Sequence, residues 1–185
     1  MTTAISPTTE ATVWTIDPVH SSAEFKVKHM MITNVKGRFT DVEGTLEFDQ
    51  ADVTKSKITA TIAAASIDTR NADRDTHLKS ADFLDVENFP TLSFTSTRIT
   101  KAGADELNVE GDLTIHGVTR PAVFEVEGPS EPGKDPWGNT RIGWSAITKI
   151  NRKDFGLTWN SALETGGLLV GDEVTISLDV QAVKS

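Results

Sequence analysis

Residues 21–31 read SSAEFKVKHMM, and their alternation decides the fold class. Ala23, Phe25, Val27, His29 and Met31 share one parity, and Glu24, Lys26 and Lys28 share the other. An extended strand sends successive side chains to opposite faces, so this period of two makes one apolar face and one solvated face. A histidine interrupts the apolar row. Whether that face looks onto a solid core, a catalytic cleft or a ligand cavity is the functional question.

The same period runs through the rest of the chain. VWTID (13–17) opens it, and in GRFTDVEGTLEFD (37–49) Val42, Gly44, Leu46 and Phe48 oppose Glu43, Thr45 and Glu47. SKITATIAAAS (56–66) aligns Ile58, Ala60, Ile62 and Ala64, and TLSFTSTRIT (91–100) aligns Leu92 and Phe94. ELNVEGDLTIHG (106–117) aligns Leu107, Val109, Leu113 and Ile115, and RPAVFEVEG (120–128) aligns Ala122, Phe124 and Val126. TRIGWSAITKI (140–150) contributes Ile142, Trp144 and Ala146, and EVTISLDVQAV (173–183) contributes Val174, Ile176, Leu178, Val180 and Ala182. Eight long strands and a short opening one, each with a polar face, predict an all-β antiparallel sheet wetted on one side. Closure into an up-and-down barrel or a sandwich follows. Strands of about ten residues, against a usual ~5–6, favour the barrel.

Two stretches depart from the period. NADRDTHLKSADFLDVENFP (71–90) offers Asp73 or Asp75 as a helix N-cap and then helical spacing, which predicts a short helix and loop near a barrel end. NSALETGGLLVGDEV (160–174) is Gly-rich and reads as a loop before the last strand. No internal repeat is present.

With 185 residues, 37% apolar and 24% charged, the chain has the size and composition of a single globular domain. Residues 1–11 read as a disordered tail and 12–185 as the barrel. A net charge of −9 repels phosphate backbones and anionic headgroups, which argues against nucleic acid as a partner while leaving room for local basic patches. The absence of cysteine excludes disulfides, thiolate metal sites and cysteine nucleophiles. MTTAISPTTEATVW has no basic start and no apolar run, so the cytoplasm is the expected compartment, and no segment has the ~18 apolar residues of a membrane span.

The chemistry-bearing motifs are few. His20, His29, His77 and His116 form neither HxH nor HExxH. His116 has the polar parity of its strand or lies in the turn HGVT. His29 reads first as a hydrogen-bonded interior histidine, then as a ligand contact, and last as a metal ligand or catalyst. NADRDTHLKSAD places Asp73, Asp75 and Asp82 roughly as a calcium loop would. However, it has Thr76 where the tight-turn glycine belongs and puts Lys79 near the ion, so a capped helix explains the acids better. TGGLLVG is neither a dinucleotide nor a phosphate loop, and no GxSxG occurs. Small residues on the inner parity (Gly44, Ala60, Ala64, Gly111, Ala122, Ala146, Ala182) would leave an eight-stranded barrel room for one ligand.

The chain resembles the YceI family, lipocalin-like polyisoprenoid-binding proteins of bacteria. The carrying segments are WTIDPVHSSAEFKVKHM, VKGRFTDVEGTLEFD, DTHLKSADFLDVENFPTLSFTST, GDLTIHGVTRPAVF and NRKDFGLTWN, in the family's order and spanning residues 13–184. The resemblance implies an extended eight-stranded antiparallel barrel with an elongated pore. A long isoprenoid chain would lie inside with its polar head toward the mouth. Some members take other lipids, such as fatty acids or their amides, and many are exported with a signal peptide.

The expected function is therefore non-catalytic binding, sequestration or transport of a polyisoprenoid or similar lipid inside a lipocalin-like barrel. The alternatives are an enzyme acting on an apolar substrate through His29 or His77, and a filled-core interaction module. Phe25, Val27, His29, Met31, Leu46, Phe48, Ile58, Ile62, Phe94, Leu113, Phe124, Trp144, Ile176 and Leu178 are expected to line the cavity. Arg38, after a turn at Gly37, with Arg74, His77 and Arg152, are the headgroup candidates. No metal, cofactor, catalytic residue or membrane insertion is expected beyond the lipid itself, and a homodimer stays open.

Overall fold

The computed structural model describes residues 10–185. The expected tail at 1–11 lies outside the described residues except for Glu10 and Ala11. Twelve strands follow: β1 (Thr12–Ile16), β2 (Ser22–His29), β3 (Thr33–Phe39), β4 (Val42–Phe48), β5 (Lys57–Ala63), β6 (Ile67–Asp68), β7 (Thr91–Lys101), β8 (Glu106–Ile115), β9 (Val118–Glu127), β10 (Gly133–Lys134), β11 (Thr140–Asn151) and β12 (Val170–Lys184). One helix, α1 (Ala72–Lys79), lies between β6 and β7. Every pairing is antiparallel, in the order β1–β4–β5–β7–β8–β9–β11–β12, and β12 returns to β1 to close an eight-stranded barrel. β2, β3 and β6 extend the wall beyond that ring from β12.

The first three wall strands are each broken, and the breaks line up across the sheet. β1 and β2 part at 17–21, β3 and β4 at 40–41, and β5 and β6 at 64–66. Sequence alternation treats 37–49 as one strand with a turn at Gly37. Instead, Gly37 sits inside β3 and the break falls at Thr40 and Asp41, whose amides donate to the Ser66 carbonyl and hydroxyl. Breaks tolerated in this way satisfy the main chain while letting the wall bend.

Helix α1 is capped by Asn71, whose side chain accepts from the Arg74 amide, and not by either aspartate. Asp75 instead accepts from the Thr69 amide and hydroxyl (2.9 Å and 2.5 Å), tying the helix to β6. His116 occupies the β8–β9 turn with φ 53°, its ring edge-on to Phe89.

The interior at the β8–β9 hairpin end is filled. Ile67, Leu84, Ile115 and Phe155 are buried in one cluster, with Leu78 and Val86 packed against it. Phe155 belongs to a short 3-10 helix, Arg152–Phe155, that follows β11 and packs beside β9 and β12. Burial of side chains of this size contributes about 1.5–3 kcal/mol each. Among the described residues, no helix is long and apolar enough to cross a membrane.

Candidate ligand cavity

Above that plug the barrel is hollow. A cavity with about 1290 Å³ of atom-free space, its open mouth included, runs from Phe39 and Ile115 to Phe48, Val53 and Pro129. Phe25, Phe94, Trp144, Ile176 and Leu178 point inward yet stay only half-buried, because the surface they keep faces the cavity. Of the residues that border it only Ser22, Glu24, Ser56 and Ser93 are polar, and Glu24, the one ionisable residue among those described, is exposed and on the outward parity of β2.

The glycines do not create this space. A Cβ on Gly37 would meet the Phe25 ring, one on Gly111 the Phe94 ring, and one on Gly44 the Ile16 side chain. Each glycine is therefore the seat of a large neighbour. Of the inner alanines, Ala60 and Ala146 line the cavity, whereas Ala64, Ala122 and Ala182 are buried in solid packing.

Eleven of the fourteen expected lining residues surround the cavity: Phe25, Leu46, Phe48, Ile58, Ile62, Phe94, Leu113, Phe124, Trp144, Ile176 and Leu178. Val27, His29 and Met31 do not. They continue the parity of Phe25 along β2 but lie past the end of the cavity, with His29 half-buried opposite Thr33 and Val170, and Met31 66% exposed in a turn. Phe39 and Ile99 line the cavity unforeseen. The break at 40–41 lets both Phe39 and Val42 point inward, and a bulge between Ser96 and Arg98 moves the inward parity from Phe94 to Ile99.

The proposed headgroup cations are not gathered at a mouth. Arg38 pairs with Asp68 on the outer surface at 3.4 Å. Arg74 donates to the hydroxyl and carbonyl of Thr69, both at 2.8 Å. His77 bonds Asp82 at 2.9 Å and packs edge-on against Phe83 and Trp159. Arg152 is 3% exposed and donates to the carbonyls of Leu157, Trp159, Val170 and Gly171, and burial lowers its pKa while nearby Asp172 opposes the shift. None of the four lines the cavity. In the 73–82 segment Asp75 and Asp82 are engaged by Thr69 and His77, and among the described residues no group of three or more metal-ligating side chains is brought together.

One polar cluster escaped the sequence reading. Arg141 bonds Asp17 (2.6 Å), Asp135 (2.7 Å) and Gln181 (2.8 Å), tying the β1–β2 break to the turn before β11 and to β12. The Arg141 guanidinium holds both carboxyls well below the usual carboxylate range, with His20 adding to the effect on Asp17. Its members are distant in sequence, which is why no local pattern reveals it.

A closed antiparallel eight-stranded ring with a plugged end and an apolar hollow defines a lipocalin-like barrel. The YceI-like domain profile matches residues 14–182, and the chain belongs to the YceI-like family. Protein YceI of Salmonella newport is 42% identical over 139 residues, 75% of this chain and 72% of that protein. The crystal structure of the Campylobacter jejuni YCEI protein superposes with a TM-score of 0.72 at 33% identity, covering 85% of this chain and 90% of that one. A polyisoprenoid binding domain from Saccharophagus degradans, implicated in plant cell wall breakdown, shares the fold at 13% identity. Its TM-score is 0.67, over 95% of this chain and 100% of that domain.

Proposed function

We propose that this protein binds a long, uncharged lipid chain, of the polyisoprenoid class, inside the barrel and carries or sequesters it without altering it covalently. The observation that carries the reading is the set of inward aromatic and aliphatic side chains left half-buried around a hollow. Such surface gains free energy when an apolar chain covers it, at about 25 cal/mol per Å². The fold likeness to a polyisoprenoid binding domain supports the same class of cargo. The non-catalytic part of the reading is supported by the lining, where among the described residues the single ionisable one, Glu24, lies on the outward parity of β2, and by the placement of His29 and His77 away from it.

Extraction of the natively purified protein with organic solvent, followed by mass spectrometry, tests the cargo. A stoichiometric prenyl or similar long-chain lipid is expected, and a protein that stays empty after exposure to membrane lipid extracts would overturn the reading. Incubation of the loaded protein tests the absence of chemistry, since the extracted lipid should keep its mass. Exchange of labelled prenyl lipid between two vesicle populations, accelerated by added protein, separates transport from sequestration.

A further inference from the structure

The hairpin formed by β2 and β3 is built unlike the rest of the molecule. Residues 25–40 carry four cations (Lys26, Lys28, Lys36, Arg38) and no carboxylate, in a chain of net charge −9. Arg38 is taken up by Asp68, but Lys26, Lys28 and Lys36 are exposed and enter no ion pair among the described residues. The nearest acids on β12, Asp172 and Glu173, are engaged by Lys153 and Lys149 respectively. Lys26 and Lys36 stand directly opposite each other in register, a like-charge pair that opposes folding.

The turn at the tip opposes folding too. The Ile32 amide donates to the His29 carbonyl at 3.0 Å, so Met30 and Met31 are the central residues of a β-turn, with φ of 51° and 60°, within the three-residue connection between His29 and Thr33. Positive φ at both central positions is the geometry that favours Asn-Gly, and side chains with a Cβ adopt it reluctantly. These residues are nevertheless apolar and turned outward. Met31 is 66% exposed and Ile32 72%, and Leu168, from a loop fastened beside the tip by the Met30 amide to Leu169 carbonyl bond, is 40% exposed. Glu164 is the single carboxylate of that loop. From Phe25, the last cavity residue on β2, to His29 the hairpin projects roughly 13 Å past the hollow.

We infer that the β2–β3 tip docks on the surface of an anionic lipid bilayer. Met30, Met31, Ile32 and Leu168 would enter the interface while Lys26, Lys28 and Lys36 face the headgroups. Charge complementarity names the occupant: this is a cationic, apolar-tipped projection on a molecule that is otherwise strongly acidic, and such a pairing binds interfaces through buried apolar area and attraction to anionic lipid together. The contact is peripheral, with no spanning segment. The inference rests on the cargo reading only in that a long apolar lipid resides in a bilayer.

The test is co-sedimentation of the full, delipidated chain with vesicles of phosphatidylcholine alone and of phosphatidylcholine with a third phosphatidylglycerol. Partition into the anionic vesicles should exceed the neutral ones about tenfold and fall as salt rises. Met30→Asn with Met31→Gly installs the residues this turn prefers, so the melting temperature should hold or rise while partition drops about tenfold. Lys26→Gln with Lys36→Gln should abolish the preference for anionic vesicles. Equal partition into both vesicle types, partition indifferent to the turn variant, or self-association lost in that variant with no vesicle binding would each overturn the inference. Solvent extraction of the turn variant, expressed and purified natively, keeps the two readings apart, because its cavity lipid should match the wild type whether or not docking fails.

Discussion

Arg152 donates to four main-chain carbonyls while 3% exposed, so Arg152→Ala leaves those acceptors orphaned inside the protein. A loss of about 3 kcal/mol or more is expected in denaturant unfolding. The relative retention of charged and uncharged prenyl lipids should stay unchanged, because Arg152 does not reach the cavity. Phe25→Asp places a carboxylate against the cargo and should abolish lipid retention, whereas Lys26→Asp, on the outer parity of the same strand, should retain it. Equal loss in both variants would show that β2 has been assigned to the wrong faces. At this scale the sequence was legible where a residue's role follows from its parity, as for Phe25, Leu46, Phe94 and Ile176. It was opaque for Arg152, whose partners are carbonyls 5–19 residues away that no side-chain pattern reports.

At the level of elements, alternation found the strands but not where they bend. The break at 40–41 and the bulge at 96–98 each shift the inward parity by one residue, which is why Phe39 and Ile99 enter the lining although strict alternation from Leu46 or Phe94 excludes them. The helix lay within reach of its composition, yet its cap is Asn71 because both aspartates fall inside the first turn, where they favour the helix dipole instead. The Arg141 cluster fastens three elements and sets a pH dependence. Asp17 and Asp135 have carboxyls depressed in the folded protein, so their contribution is complete above the unfolded value of about 3.9 and is lost only as pH falls through the lower folded values. Acid unfolding of Arg141→Ala, followed by circular dichroism, should therefore begin at higher pH than that of the wild type. Coincident acid transitions would mean the cluster contributes nothing to this dependence.

For the whole molecule, cargo and stability are linked by mass action, since a ligand held inside the closed ring binds the folded chain alone. Delipidated protein should melt lower than loaded protein, and restoring free lipid to about 100 times its Kd should return about 2.7 kcal/mol. Exhaustive chelation should leave both the melting temperature and the lipid content unchanged, and a large fall would reopen the question of an ion near α1. The closure that makes the cavity depends on one strand: β12 pairs with β1 and β2 along one edge and with β11 along the other. Synthesis proceeds from the N-terminus, so β12 is the last strand of the ring to leave the ribosome. Without β12 the ring stays open between β1 and β11, and the apolar inner face has no closed cavity to form. The ring can hold a ligand only after β12 has been made, and a chain truncated before residue 170 should aggregate instead of forming a smaller binding protein.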